Sequence, residues 1–201
     1  MLHSRVFFLS GWTAAWDTNW LYAVHLKAFI EAKGIEFIPI SLVTDNDKIQ
    51  VYVDNLHSII GKPNERDVFI TQSIGGQLAL RYLASLCPED KFGGVFSIAG
   101  WFNLNAAVFG GSLPTTLEQW CDTSTLDLQR VKSVCTKFVL LISDDDPYCD
   151  VPQQCSRWTD LIGATSIVRS GRGHYLNPVK EPTEGWVLPE EDLSLLSTFL
   201  V

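Results

Sequence analysis

The chain has 201 residues, 46% of them apolar and 19% charged, with a formal charge of −8 and a pI near 4.9. That length suits one compact domain burying roughly 70% of the surface its unfolded chain exposes, so stability requires neither disulfide nor metal, and the composition argues against disorder. The acidic balance argues against nucleic-acid binding, which draws on clustered Lys and Arg.

Short apolar runs alternate with helix-length amphipathic segments. Arg5 to Leu9 reads as a first strand, followed by a helix from Thr18 to Lys33 that Gly34 stops. Ile35 to Ile40 reads as a second strand. A helix from Asp47 to Ile60 follows, with Ile49, Val53, Leu56 and Ile60 on one face and Gly61 at its end. Asp67 to Thr71 is a third strand, and Ile74 to Leu86 a helix with Leu78, Tyr82 and Leu86 at helical spacing. Gly94 to Ala99, Lys137 to Ser143 and Ser166 to Arg169 read as further strands, and Glu190 to Leu200 as a last helix. Residues 100–130 break the rhythm. They carry Gly110, Gly111, Pro114 and two tryptophans without clear periodicity, and are expected to form an irregular insertion or small cap. The alternation predicts a three-layer α/β/α sandwich, with about six mostly parallel strands covered on both faces.

The five cysteines show no CxxC pair and no repeating spacing, so a disulfide framework or zinc site is not expected. Reduced thiols in a cytoplasmic protein are the expectation. Val6 to Leu9 is too short for a signal-peptide core, and no apolar run reaches membrane-spanning length.

In an open parallel sheet, ligands bind beyond the carboxyl ends of the strands. The residues at those ends are Ser10-Gly11-Trp12, Thr71-Gln72-Ser73-Ile74-Gly75-Gly76, Asp144-Asp145-Asp146-Pro147 and Gly171-Arg172-Gly173-His174. Each has an ordinary reading: an N-cap for Ser73, solvated turn residues for the aspartates, a loop residue for His174. Together they bring a hydroxyl, a carboxylate cluster and an imidazole to one edge, in the chain order Ser, Asp, His used by α/β-hydrolases. Ser73 is then a nucleophile, His174 its base, and Asp146 the acid that fixes the imidazole tautomer, with Asp145 as fallback. The Ile74 N–H at a helix start supplies one oxyanion donor; the Trp12 N–H is the candidate for the second, with Gly11 permitting close approach of the backbone. The nucleophile turn reads Thr-x-Ser-x-Gly: Gly75 is small as required, while Thr71 stands where a glycine is usual.

These segments resemble the small serine hydrolases of the retinoblastoma-binding protein nine type within the α/β-hydrolases. Phe8-Leu9-Ser10-Gly11-Trp12 looks like that family's loop after its first strand. Gln72 to Gly76 resembles its nucleophile segment, where Gly-His-Ser is more usual. Phe92 to Ser97 and Ala99 to Phe102 resemble its fourth strand and exit. Ile142 to Tyr148 is similar to its Asp-Asp-Pro-Tyr segment, and Gly173-His174 to its Gly-His-Phe segment. Cys149-Asp150 departs from the pattern. The resemblance implies a six-stranded core, Asp146 as the acid directly before Pro147, and no cofactor.

Trp12, Trp16 and Trp20 recur every four residues, as core packing or as the lining of an acyl pocket. Trp101, Phe102, Phe109 and Trp120 are expected to cap the site with apolar surface, Gly11, Trp12, Trp101 and Phe102 being the candidate substrate contacts. Asp144, Asp145 and Asp146 are adjacent in a strand-to-turn segment and cannot all face one ion, so no metal site is expected. His3, His25 and His57 lie away from this edge. The expected function is an esterase-like acyl hydrolase acting on a small ester, thioester or amide. The alternative is a non-catalytic protein-interaction module on the same fold. No nucleic-acid or membrane partner is expected, and the sequence leaves the oligomeric state open.

Overall fold

The computed structural model describes residues 4–11, 21–40, 48–175 and 188–201. The strands are β1 (Arg5–Leu9), β2 (Glu36–Ile40), β3 (Asp67–Gln72), β4 (Gly94–Ile98), β5 (Phe138–Ser143) and β6 (Thr165–Arg169). The helices are α1 (Leu21–Glu31), α2 (Ile49–Ile60), α3 (Ile74–Ser85), α4 (Thr115–Cys121), α5 (Leu128–Val134), α6 (Val151–Ile162) and α7 (Glu190–Phe199).

The six strands form one parallel sheet in the order β2-β1-β3-β4-β5-β6. Central strands buried on both faces explain why Val6–Leu9 and Phe138–Ile142 read as unbroken apolar runs. Alternate side chains feed two cores. Phe7, Leu9, Phe69, Val95, Leu140 and Ile142 meet α2, α3, α5 and α6 on one face. Val6, Phe8, Val68, Ile70, Phe96 and Leu141 meet α1 and α7 on the other. The first core is tied by an aromatic cluster: Phe69 stacks on Phe92 at 4.5 Å and meets the edge of Tyr82 at 5.6 Å. Each such ring removed from water contributes roughly 2–3 kcal/mol.

Two segments differ from the sequence reading. Residues 151–162, unassigned by pattern, form α6. Its buried positions are Val151, Gln154, Trp158 and Ile162, and a polar residue at one of them blurs the stripe. Residues 100–130 are more regular than expected. They hold a 3-10 turn (Ala106–Phe109), α4 and the start of α5, whose Val131 and Val134 are buried in the main core.

Candidate active site

The site is assembled where β3, β4, β5 and β6 end. After Gln72 the chain turns sharply: Ser73 adopts φ 53° and ψ −121°, outside the regions a non-glycine residue ordinarily occupies. The turn requires Gly75, because a Cβ there would run into the carbonyl oxygen of Leu9 at the end of β1. Thr71 fits in place of glycine. It is wholly buried, and its hydroxyl donates to Ser97 Oγ at 3.0 Å.

Ser73 occupies the N-cap position of α3 but makes no side-chain cap bond. Its Oγ lies 2.9 Å from His174 Nε2. His174 Nδ1 lies 2.7 Å from Asp146 Oδ2, and Asp146 Oδ1 accepts the Tyr148 N–H at 2.9 Å. Ser73, Asp146 and His174 are all buried. The carboxylate can only accept, so Nδ1 carries the proton and Nε2 is left as the acceptor for the serine hydroxyl. That is the protonation arrangement in which an imidazole can take a proton from Ser73.

The three aspartates do not share a ligand; each fixes a different point of the histidine loop. Asp144 Oδ1 accepts the Gly171 N–H at 3.1 Å, Asp145 Oδ1 the Gly173 N–H at 2.7 Å, and Asp146 holds the His174 ring. Ser143 adds a hydroxyl that accepts the Arg172 N–H at 2.8 Å and donates to Asp145 at 2.6 Å. The Ser143 hydroxyl foremost, and then the Gly173 N–H, hold the Asp145 carboxyl below the usual carboxylate range. Beyond His174, Tyr175 sits at φ 53°, and its hydroxyl donates to the buried Asp192, which Arg169 at the end of β6 also binds at 2.7 Å.

Among the other expected site residues, Ile74 opens α3, so its N–H has no acceptor within the helix. Trp12, with Trp16 and Trp20, lies outside the described residues. Gly11 packs against Gln72 and Ser73; a Cβ there would collide with Gln72 Oε1. Phe102 is a correction: it is fully buried against Trp158, with ring centroids 5.4 Å apart, and offers no surface to a substrate. Trp101 is 1% exposed, and its indole Nε1 lies 3.2 Å from Ser73 Oγ. Trp120 is buried against Tyr52 and under Arg81. Phe109, half-buried, packs against Tyr148 at 5.9 Å, and Tyr148 meets the His174 ring edge-on at 4.7 Å. Tyr148 and Gln72, whose amide reaches the His174 carbonyl at 3.4 Å, are site residues to which the sequence reading gave no role.

Cys149 lies beside Asp146. Burial, and then the Asp146 charge, push its thiol well above its ordinary value. All five cysteines are free. Among the described residues, no group of three or more His, Cys, Asp or Glu side chains is arranged to hold a metal ion, and no helix is long and apolar enough to cross a membrane.

No protein-family model and no curated protein matches this chain. Solved structures do. The ydeN gene product of B. subtilis is similar with a TM-score of 0.79 at 17% identity, covering 98% of each chain. A crystal structure of a carboxylesterase of the thaumarchaeon Nitrososphaera gargenis gives 0.69 at 14% identity, covering 98% of this chain and 90% of that one. Mouse alpha/beta hydrolase domain-containing protein 10 gives 0.65 at 16% identity, covering 96% and 86%. The chain has the α/β-hydrolase fold.

Proposed function

We propose that this protein is a serine hydrolase, esterase-like, cleaving a small ester, thioester or amide. The observation that carries this reading is the His174 ring bonded at once to Ser73 Oγ and Asp146 Oδ2, with Ser73 on a strained turn and free of any capping role. Ser73 Oγ attacks the substrate carbonyl carbon while its proton passes to His174 Nε2. The carbonyl oxygen takes the negative charge and accepts from the Ile74 N–H at the positive end of α3. Collapse expels the leaving group, which takes the proton from Nε2, and leaves an acyl-Ser73 ester. Water then attacks that ester, giving its proton to Nε2, and the acid is released as the proton returns to Oγ. Asp146 holds the imidazole tautomer and balances the imidazolium in both halves.

Tyr148 and Phe109 beside His174 favour an uncharged acyl group. The second oxyanion donor is assigned to Trp12 on the sequence pattern alone. The motifs at Ser73, Asp146 and His174 support membership of the retinoblastoma-binding protein nine type of small hydrolase. Five free thiols are in keeping with a cytoplasmic location. The carboxylesterase neighbour supports the ester class. The test is a fluorophosphonate label with a panel of p-nitrophenyl esters of increasing chain length. Ser73→Ala should abolish labelling and hydrolysis with the fold intact. Labelling that persists on another serine overturns the assignment.

A further inference from the structure

We propose that Trp101 is a further catalytic residue: its indole N–H donates to Ser73 Oγ, aims the hydroxyl proton at His174, and supports the charge on that oxygen as it attacks. This rests on the hydrolase reading of Ser73.

The direction of the bonds leaves one arrangement. Asp146 fixes the proton on His174 Nδ1, so Nε2 can only accept, and the Ser73 hydrogen points to it. Indole N–H can only donate, so at 3.2 Å it takes a lone pair of Oγ. The result is one directed chain: Trp101 N–H to Ser73 O–H to His174, and His174 N–H to Asp146. Each bond polarises the next. Trp101 is buried, so its N–H has left water and needs a partner; that partner is the nucleophile.

The surroundings hold this ring in place from outside the site. The chain leaves β4 through Ala99 at φ 50°, a strained corner for a residue with a side chain. Gln77 of α3, wholly buried, donates its amide N–H to the Trp101 carbonyl. Gln154 of α6, also wholly buried, accepts the Phe102 N–H at 2.7 Å and donates to the Asn103 carbonyl at 3.0 Å. Arg81 binds the Gln77 amide oxygen and reaches the carbonyls of Trp120 at 3.1 Å and Asp122 at 2.9 Å. Two buried polar side chains are thus committed to three consecutive backbone units, 101–103. A phenyl ring at 101 would fill space without calling for such control of direction.

The chemistry uses the donor twice. Oγ gains charge as its proton moves to Nε2, and the indole bond strengthens until the bond to the acyl carbon forms. In the acyl-enzyme, Oγ is an ester oxygen and a poor acceptor. When water has added and the intermediate collapses, Oγ leaves with charge, is again stabilised by Trp101, and recovers its proton from Nε2.

The experiment compares wild type, Trp101→Phe, and a protein carrying benzothienylalanine at 101, where sulfur replaces N–H in a ring of nearly the same shape. Both replacements should lower the second-order rate of fluorophosphonate labelling about 10- to 100-fold, the range for losing a hydrogen bond to a charged group. The kcat for p-nitrophenyl acetate should fall alike, with KM nearly unchanged. A benzothienylalanine protein that reacts at the wild-type rate overturns the proposal whatever Trp101→Phe does, because shape alone would then suffice. If Trp101→Phe does not fold, the benzothienylalanine protein alone decides. A wild-type protein that neither labels nor hydrolyses esters overturns the hydrolase reading, and the role of Trp101 falls with it.

Discussion

At the N-terminal end of the strands Asp67 meets Arg5; at the C-terminal end Asp146 meets His174. Both carboxylates are buried. Asp67 is saturated: Arg5 Nε and Nη2 approach its two oxygens at 2.8 and 2.6 Å, and the Asn64 backbone and side-chain N–H groups add bonds at 3.0 and 2.9 Å. Arg5 also reaches the Ile60 carbonyl at 3.2 Å. The Arg5 guanidinium has no proton to release near neutral pH, so the pair ties β1 to β3. Asp146 instead faces a ring that can gain and lose a proton, and the ring faces a hydroxyl. Backbone strain divides the same way. Among the described residues, the non-glycine positions at positive φ are Ser73, Ala99 and Tyr175, all at the C-terminal end. Each costs on the order of 1–3 kcal/mol, which a well-bonded sheet can carry. A buried carboxylate is structural where its partner is a guanidinium with closed bonds, and becomes a candidate for chemistry where its partner is an imidazole bonded onward to a hydroxyl.

The comparison breaks most sharply at Asp146. Asp146→Asn should lower kcat on the order of 10⁴-fold, because the amide stabilises the wrong imidazole tautomer, while unfolding in urea changes little. At the other end the effect reverses in kind. Arg5→Ala should cost about 3 kcal/mol of stability, since Asp67 keeps its charge and burial but loses its counter-ion. The kcat of the folded fraction should match wild type. A large kcat loss in Arg5→Ala at temperatures where it is folded would mean that the two ends are coupled.

A smaller effect is expected at Thr71, which lies in β3 two residues before Ser73. Thr71→Gly restores the usual small residue but removes a buried methyl group and the bond to Ser97. Stability should fall by about 2 kcal/mol and kcat should not rise. A rise would mean that Thr71 does distort the nucleophile turn.

The residues explain what sequence could and could not reveal. Strands buried on both faces announce themselves as apolar runs, and the functional edge follows from where those runs stop. Ser73, Asp146 and His174 are therefore legible as candidates, and the structure brings His174 within hydrogen-bond distance of both Ser73 and Asp146. Helix α6 was not legible, because Gln154 occupies a core position in order to bond residues 51 and 52 places earlier in the chain. Trp101 could be picked out but not understood. Its position in an irregular stretch suggested a cap, whereas Ala99, Gln77 and Gln154 turn it inward, and only the folded chain brings those three together. The three aspartates looked like one feature and are three, since their partners lie on a loop 27 or 28 residues away.

Asp145 gives the finest test of that division, being the neighbour of Asp146 with the same chemistry and a different partner. Its carboxyl is held below the ordinary range by the Ser143 hydroxyl and the Gly173 N–H, so it favours the folded chain in its ionised form. A depressed value of this kind contributes stability above the unfolded-state pKa, near 3.9, and loses it as the pH falls through the lower folded value. The difference in urea midpoint between wild type and Asp145→Asn should therefore be present at pH 7, hold to about pH 5, and shrink below about pH 4. It should be small, because the group is exposed to water and screened by it. The kcat should fall less than about tenfold, since an amide oxygen can still accept the Gly173 N–H and keep the His174 loop in place. Kinetics of Asp145→Asn beside Asp146→Asn reads this directly. If Asp145→Asn suffers the larger kcat loss, the acid is Asp145, and the bond from Asp146 to His174 merely holds the loop.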